Sequence, residues 1–344
     1  MAMLTGNFSC QFMRSWGKGL GVLAIGLLSL LIWWFLNYRE VAVSPEPFRV
    51  GNSVAVPVAP PQPALTEFPR KPVREAASEL KPDELVLGVQ VGGEARAYPI
   101  NMLSGPNREI LNDTLDGQPI AVTWCDLSFS GIVYARQVDD KTLTMFVSGY
   151  LLDDSLVMQD QETKTYWSHM LGDAKAGPLK GKKLQQIPAV MSDWESWSKQ
   201  HPQGTVVLLK RNTESYRRES FNSPHQFVLG VVVNEKAAAW RFDLLAQTPA
   251  RNDQLGDKPV LVVFDQKSFT ARVYERELGG RMLTFRMIDA QLTDQESGST
   301  WDPVVGLAVT GPLKGEHLLP FPATVCYYSA WKDFHPLSKI YSAE

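Results

Sequence analysis

An internal repeat covers most of this 344-residue chain and constrains its fold more than any other feature. Residues 88–103 (GVQVGGEARAYPINML) align with residues 230–245 (GVVVNEKAAAWRFDLL). Further matches follow in the same order: Asn112-Asp113 with Asn252-Asp253, Ser128-Phe129 with Ser268-Phe269, Asp160-Gln161-Glu162 with Asp294-Gln295-Glu296, GPLKG at 177–181 with 311–315, and Trp197 and His201 with Trp331 and His335. Because so many matches keep their order, the chain contains two tandem copies of one structural unit.

The repeat predicts a first domain at residues 81–211, a polar linker at 212–225 and a second domain at 226–344. Within each copy, short segments rich in β-branched and aromatic residues are separated by Gly, Asp and Pro clusters, a pattern typical of strands. Helical signals are brief, and the clearer one begins after Ser192, a residue type that caps helices. We therefore predict a mainly β protein with short helices, organised as two tandem barrel-like or sandwich-like domains.

An uncharged apolar run at residues 20–36 precedes the repeat. With its flanks, at 19–38, it approaches the length of about 20 residues that a helix needs to cross a bilayer. Arg14 and Lys18 precede the run, so the positive-inside tendency places residues 1–18 in the cytoplasm and the rest of the chain outside. We predict a single-pass anchor that leaves the domains outside the cytoplasm.

A cleaved secretory signal is the main alternative for this run, and a buried soluble helix is the other. A signal peptide usually ends in a small-residue cleavage site. Here Val41 and Val43 flank Ala42, which makes a poor site. The sequence therefore favours an uncleaved anchor.

The segment at residues 39–80 contains eight prolines. Proline has no backbone N–H group with which to join a helix or a sheet. Proline-rich segments also tend to be extended and semi-rigid. We therefore predict a stalk that holds the domains off the membrane surface.

Charge and cysteine usage exclude several classes of protein. The formal net charge of −3 leaves no broad basic field for a phosphate backbone, so we expect no nucleic acid partner. Cys10, Cys125 and Cys326 form no CxxC pair and no zinc-type spacing, which excludes a disulfide scaffold but leaves one Cys125–Cys326 bridge open. Common enzyme motifs such as GxSxG, HExxH and the Walker loop do not occur.

Four stretches of the first copy resemble the bacterial domain-of-unknown-function family 3179. They are GEARAYPINML at 93–103, REILNDTLDGQPIAVTWC at 108–125, VSGYLLDDSLVMQDQETKTYWS at 147–168 and GPLKGKKL at 177–184. They cover nearly all of the first copy in the family's order, and the second copy resembles a diverged version. The resemblance implies an architecture and a candidate pocket, but no reaction.

The chain departs from this family at the cysteine motif. The family's motif resembles V-T-Y-C-P-L-C, whereas residues 122–128 read VTWCDLS, with Ser128 in place of the second cysteine. His169 also stands near the position where the family commonly has Gln. Disulfide exchange, which needs both thiols, therefore loses support.

Cys125 is the first candidate for chemistry, because it closes a predicted strand before a polar loop. Its thiolate would be a nucleophile or a soft metal ligand, with His169 as the base or as a second ligand. The alternative is that Cys125 is a small buried hydrophobe and that His169 caps a surface turn. Six neighbouring positions are candidate ligand-binding residues: Trp124, Asp126, Ser128, Arg136, Ser148 and Trp167.

Comparison of the two copies separates structural from functional candidates. Asn112-Asp113 recurs in the second copy, so we interpret it as structural, through turn chemistry before Leu115-Asp116-Gly117. The matched residues His201 and His335 are interpreted as structural for the same reason. Cys125 becomes Asp265 in the second copy, so a reactive site would belong to the first.

These observations favour an accessory or binding protein, with membership of a membrane complex as one form of that role. Together with the resemblance to a bacterial family, they predict an anchor in the bacterial inner membrane and domains that are periplasmic or otherwise extracytoplasmic. The alternative is a thiol- or metal-dependent enzyme that uses Cys125 with His169. A metal ion is the one cofactor that this alternative calls for. The expected partners are the lipid bilayer, through residues 19–38, and a protein of a membrane complex.

Overall fold

The structure, a computed structural model, describes residues 46–289 and 291–341. From Pro47 onwards these residues form one compact unit. The predicted cytoplasmic segment at 1–18 and the predicted anchor at 19–38 lie outside the described residues. In the part of the chain that is described, no helix combines the length and the apolar character needed to cross a membrane.

The fold is mainly β with short helices, as the sequence predicts. The N-terminal part contributes β1 (Phe48–Val50), β2 (Ser53–Pro57), β3 (Arg70–Pro72) and a 3₁₀ turn at Val73–Glu75. Copy one contains β4 (Leu85–Val91), β5 (Glu94–Pro99), α1 (Ile100–Leu103), β6 (Ile110–Leu115), β7 (Gln118–Cys125), β8 (Ser130–Ala135), β9 (Gln137–Val138), β10 (Lys141–Thr142), β11 (Met145–Leu152), β12 (Ser155–Asp160), β13 (Tyr166–Ser168), β14 (Ala174–Ala176), β15 (Gln186–Ile187), β16 (Ala189–Asp193), α2 (Trp194–Gln200) and β17 (Thr205–Val207).

Copy two repeats this order with few losses. After 3₁₀ turns at Arg218–Phe221 and Pro224–Gln226 come β18 (Phe227–Val233), β19 (Lys236–Arg241), α3 (Phe242–Leu245), β20 (Ala250–Leu255), β21 (Lys258–Asp265), β22 (Thr270–Glu275), β23 (Glu277–Leu278), β24 (Arg281–Met282), β25 (Phe285–Ile288), β26 (Gln291–Asp294), β27 (Thr300–Asp302), β28 (Leu307–Ala308), β29 (Ala323–Tyr327), α4 (Tyr328–Phe334) and β30 (Lys339–Tyr341).

The sheet that opens each copy is paired in the same way in both copies. Each begins with an antiparallel hairpin, β4–β5 in copy one and β18–β19 in copy two. The strand before the longer helix pairs with the first hairpin strand, as β16 does with β4 and β29 with β18. The last strand then pairs in parallel with the second hairpin strand. The sequence repeat is therefore also a repeat of topology.

The predicted proline-rich stalk is wrong from Pro47 onwards, because this segment is part of the folded unit. β2 pairs with β11, and β3 pairs with β17. Two prolines of the segment end strands, Pro57 in β2 and Pro72 in β3, which are positions where a missing N–H is tolerated. Val73, Ala76 and Leu80 are buried in an apolar cluster with copy one.

Helix α2 begins one residue later than Ser192 predicts. Asp193 is its N-cap, and the Asp193 side chain accepts a hydrogen bond of 2.7 Å from the backbone N–H of Ser196. Ser192 instead accepts a hydrogen bond of 2.9 Å from Thr270 of copy two. The Ser192 hydroxyl therefore joins the copies.

A large apolar core is shared by the two copies. Phe129 of copy one, Phe221 of the linker and Phe227 of copy two belong to the same buried cluster, with the ring centroid of Phe227 4.9 Å from that of Phe129 and 4.8 Å from that of Phe221. The copies also pack reciprocally, since β16 lies against β22 and β29 lies against β8. The boundaries of two separate domains stay a prediction.

The repeated glycine at the start of each copy is explained by a close contact with the repeated tryptophan. A Cβ atom added to Gly88 would lie 2.2 Å from the Trp197 ring, and one added to Gly230 would lie 2.1 Å from the Trp331 ring. Both rings are almost fully buried. The space that each glycine leaves is therefore filled by an indole.

We expect Gly88→Ala to lower the free energy of unfolding by about 1–3 kcal/mol, because Trp197 would have to leave its packed position. Urea denaturation followed by circular dichroism measures this change. Gly93→Ala is the matched control, since a Cβ atom added at Gly93 would have nothing within 4 Å. Equal stability of the two variants would show that the contact between glycine and indole is unimportant.

Candidate functional site

The predicted cysteine site lies at the turn between β7 and β8, and it is closed. Cys125 ends β7 and is 4% exposed, within an apolar cluster to which both copies contribute. Its Sγ atom lies 3.9 Å from the hydroxyl oxygen of Ser155. The thiol therefore has the surroundings of a small buried hydrophobe.

His169 is fully buried and does not cap a surface turn. Its Nδ1 lies 3.0 Å from the Thr123 hydroxyl, and its Nε2 lies 2.7 Å from the Ser130 hydroxyl. Thr123 donates its only hydroxyl proton to the carbonyl of Ile132, so it must accept from Nδ1–H. A neutral ring then accepts at Nε2 from Ser130, and neither nitrogen is left for Cys125.

Burial lowers the pKa of His169 to about 3, so the imidazole is neutral at physiological pH. The chain of hydroxyls continues from Ser130 to Ser128 over 2.7 Å and from Ser128 to Ser155 over 3.3 Å. Ser128, which replaces the second cysteine of the family motif, is thus one link in this chain.

A serine bonded to a neutral imidazole can be activated as a nucleophile if a substrate reaches it. Ser130 and His169 expose no surface, so the pair is closed to solutes. The structure brings Cys125 and His169 into one buried neighbourhood without a hydrogen bond between them. Within residues 46–289 and 291–341, no group of three or more His, Cys, Asp or Glu side chains is arranged to hold a metal ion.

The other candidate residues are spread over copy one, and their polar atoms have protein partners. The Trp124 indole donates to Asp126, which also accepts from Tyr216 and Ser104. The remaining contacts are those of Arg136 with the carbonyls of Ile120, Leu143 and Asp113, of Ser148 with the carbonyl of Val157, and of Trp167 with the carboxylate of Asp160. Their ligand-binding role stays a prediction.

Asn112 and Asp113 are structural, but not through turn chemistry, because both lie within β6. Asn112 bonds to the backbone N–H and C=O of Met145, and thereby joins β6 to β11. Asp113 forms a buried ion pair of 2.6 Å with Arg96. Copy two repeats the first contact, between Asn252 and Phe285.

Both cysteines in the described residues are buried free thiols. The disulfide between Cys125 and Cys326, which the sequence did not exclude, is therefore not formed. Burial raises the pKa of the Cys326 thiol well above its usual range. The thiol form of Cys326 therefore dominates at neutral pH.

A cleft of about 440 Å³ lies where the copies meet, and its residues were not predicted as a site. Copy one contributes Trp197 and His201, and copy two contributes Arg272, Tyr274 and His317. We call it the arginine cleft. Burial, together with the charge of Arg272, lowers the pKa of His201 to about 4. The volume lies within the range of small-molecule sites.

A reciprocal cleft of about 400 Å³ lies on the other side of the junction. Here Tyr134 and Lys183 come from copy one and His335 from copy two. We call it the lysine cleft. These residues match Tyr274, His317 and His201 in the repeat, so the clefts are equivalent places with different side chains.

Fold and site together define the class: a duplicated, mainly β protein whose copies share a core and form clefts at their junction. The family follows from a match to the family model described as "Protein of unknown function (DUF3179)", over residues 62–225 and again over 218–338. The chain belongs to this family and carries two tandem copies of its domain. No curated protein and no solved structure matches the chain significantly.

We expect His169 to make folding sensitive to acid. Its pKa is about 3 when folded and near 6.5 when the ring is exposed to water, so the unfolded chain binds the proton more readily. The contribution is therefore present above pH 6.5 and is lost as the pH falls towards 3. Between pH 6 and pH 4, wild type should lose about 1.4 kcal/mol per pH unit more than His169→Gln, as measured by urea denaturation. Parallel pH profiles would contradict this assignment.

We expect Cys125 to be unreactive in the native protein, since its thiol is buried. In a Cys10→Ser background, maleimide should label Cys125 only after unfolding, as followed by mass spectrometry. Leu127→Cys in a background with both Cys10→Ser and Cys125→Ser is the matched control, because Leu127 is 55% exposed in the same loop. Rapid labelling of Cys125 in the native protein would contradict this prediction and would again favour a thiol-dependent enzyme.

Proposed function

We propose that this protein is a non-catalytic, extracytoplasmic binding protein, held at the bacterial inner membrane by residues 19–38 as an accessory component of a membrane complex. Its ligand is a small molecule that occupies the arginine cleft. The observation that carries the proposal is this cleft of about 440 Å³, to which both copies contribute residues.

The buried position of Cys125 favours a binding function over thiol chemistry. A nucleophilic thiol needs an accessible position and a base within hydrogen-bond reach. Cys125 is buried, and His169 uses both nitrogens on Thr123 and Ser130. The arginine cleft, in contrast, presents polar groups and apolar walls, the combination found in ligand sites.

The membrane part of the proposal rests on the sequence alone. Residues 20–36 carry no charge, and Arg14 and Lys18 precede them. An anchor of this kind would place the folded unit beside the outer face of the membrane.

Deletion of residues 1–38 should therefore move the protein from the membrane fraction to the soluble fraction, as measured by cell fractionation. An unchanged distribution would contradict the proposal that residues 19–38 anchor the protein.

Native mass spectrometry of the full chain, extracted in mild detergent, tests ligand binding in the cleft. We expect wild type to carry a small molecule that denaturation releases. Ala189→Trp should lose it, because Ala189 lines the arginine cleft and an indole would fill the space. Circular dichroism checks that the variant is folded.

Val232→Trp is the matched control, since Val232 lines the lysine cleft. This variant should keep the bound molecule. A wild-type protein without any bound molecule, or equal retention by both tryptophan variants, would overturn the proposed function.

A further inference from the structure

Three N–H donors of the arginine cleft residues have no hydrogen-bond partner. They are Nε and Nη2 of Arg272 and Nε1 of Trp197, and all three atoms are buried. Buried donors are almost always paired, and an unpaired buried charge is especially costly. A group that supplies acceptors and negative charge would therefore stabilise the cleft.

The geometry of arginine narrows the class of ligand. Nε–H and the adjacent Nη2–H lie on one edge of the guanidinium plane, where they match the two oxygens of a carboxylate. Both donors of this edge are unpaired in Arg272. The indole of Trp197 offers a third donor in the same cleft.

The charges around the cleft favour a monoanion. Among its described lining residues, Arg272 is the only Lys, Arg, Asp or Glu. The lowered pKa of His201 keeps that imidazole neutral at pH 7. One carboxylate balances one guanidinium, whereas a phosphate dianion would leave excess charge in a partly desolvated site. Val190, Leu318 and Phe321 line the rest of the cleft and suit an apolar ligand body.

We propose that the arginine cleft binds a small organic acid with one carboxylate, held by the Nε–Nη2 edge of Arg272 and by the indole N–H of Trp197. This inference rests on the proposed function, because it names the class of ligand for the same cleft.

Comparison of the copies shows that these donors are specific to one side of the junction. Arg272 stands where copy one has Ile132. The matched indole, that of Trp331, donates to the Ser338 hydroxyl over 2.8 Å. Ser338 corresponds to Gly204 in copy one, so Trp197 lacks this acceptor. The lysine cleft is therefore an internal control.

Calorimetric titration of the full chain in detergent tests the proposal with benzoate and butyrate as probes. Both should bind saturably, whereas the neutral benzamide and butyramide should bind about tenfold more weakly or worse. Arg272→Met should weaken benzoate binding by about tenfold or more, since truncating one partner of a buried charge pair is costly. Lys183→Met, in the lysine cleft, should leave the affinity unchanged.

A nuclear magnetic resonance readout separates the two indoles. With ¹⁵N-labelled tryptophan, benzoate should shift the Nε1–H signal of Trp197, assigned through Trp197→Phe, and leave that of Trp331 in place. Arg272→Met should have a thermal midpoint equal to or higher than that of wild type, because it removes a costly unpaired buried charge. If this variant is folded but fails to bind benzoate, the loss of binding is due to the missing guanidinium and not to unfolding.

Several outcomes would overturn the inference: no saturable binding of either acid, equal affinity for benzamide and benzoate, unchanged affinity in Arg272→Met, or tighter binding of inorganic phosphate. A neutral or cationic molecule retained in native mass spectrometry would uphold the cleft as a binding site and overturn only the carboxylate. A wild-type protein that carries no bound molecule in native mass spectrometry would instead overturn the proposed function itself.

Discussion

The apolar core shared by the two copies is the interaction on which the rest of the structure depends. Phe129, Phe221 and Phe227 link copy one, the linker and copy two within one buried cluster. Neither copy could expose this surface to water without a large loss of hydrophobic stabilisation. The shared core fixes how β16 meets β22 and how β29 meets β8, and both clefts form at this junction.

Duplication separates residues that maintain the fold from those that differ for another reason. The contacts Asn112–Met145 and Asn252–Phe285 are the same, as are the indole–carboxylate contacts Trp167–Asp160 and Trp301–Asp294. Each satisfies buried polar groups that either copy must satisfy. Residues that differ between the copies are not needed for these shared contacts, and Arg272 is one of them. Its guanidinium stands in β22 where β8 has the apolar Ile132, and Nε and Nη2 have no hydrogen-bond partner among the described residues.

Part of the candidate site could be predicted from the sequence. The family motif singled out Cys125, and His169 was named as its candidate partner. Their spacing in the chain did not reveal that both lie in one buried region, where Ser155, Ser128 and Ser130 stand between them. Thr123 and Ser130 were missed as partners of His169, because a hydroxyl in a strand has no sequence pattern that reveals what it faces. The arginine cleft was missed because its residues lie far apart in the chain. The substitution of Arg272 for Ile132 within an aligned strand was the available signal.

The sequence by itself determined the duplication, the mainly β class and the family, because these depend on order and periodicity along the chain. Tertiary structure alone decided that residues 47–80 are folded rather than a stalk and that Cys125 and His169 are buried. It also decided that a cleft with unpaired hydrogen-bond donors lies between the copies. The physical reason is that solvent access and hydrogen-bond satisfaction depend on which surfaces meet in space. Those contacts join residues that local sequence patterns do not connect.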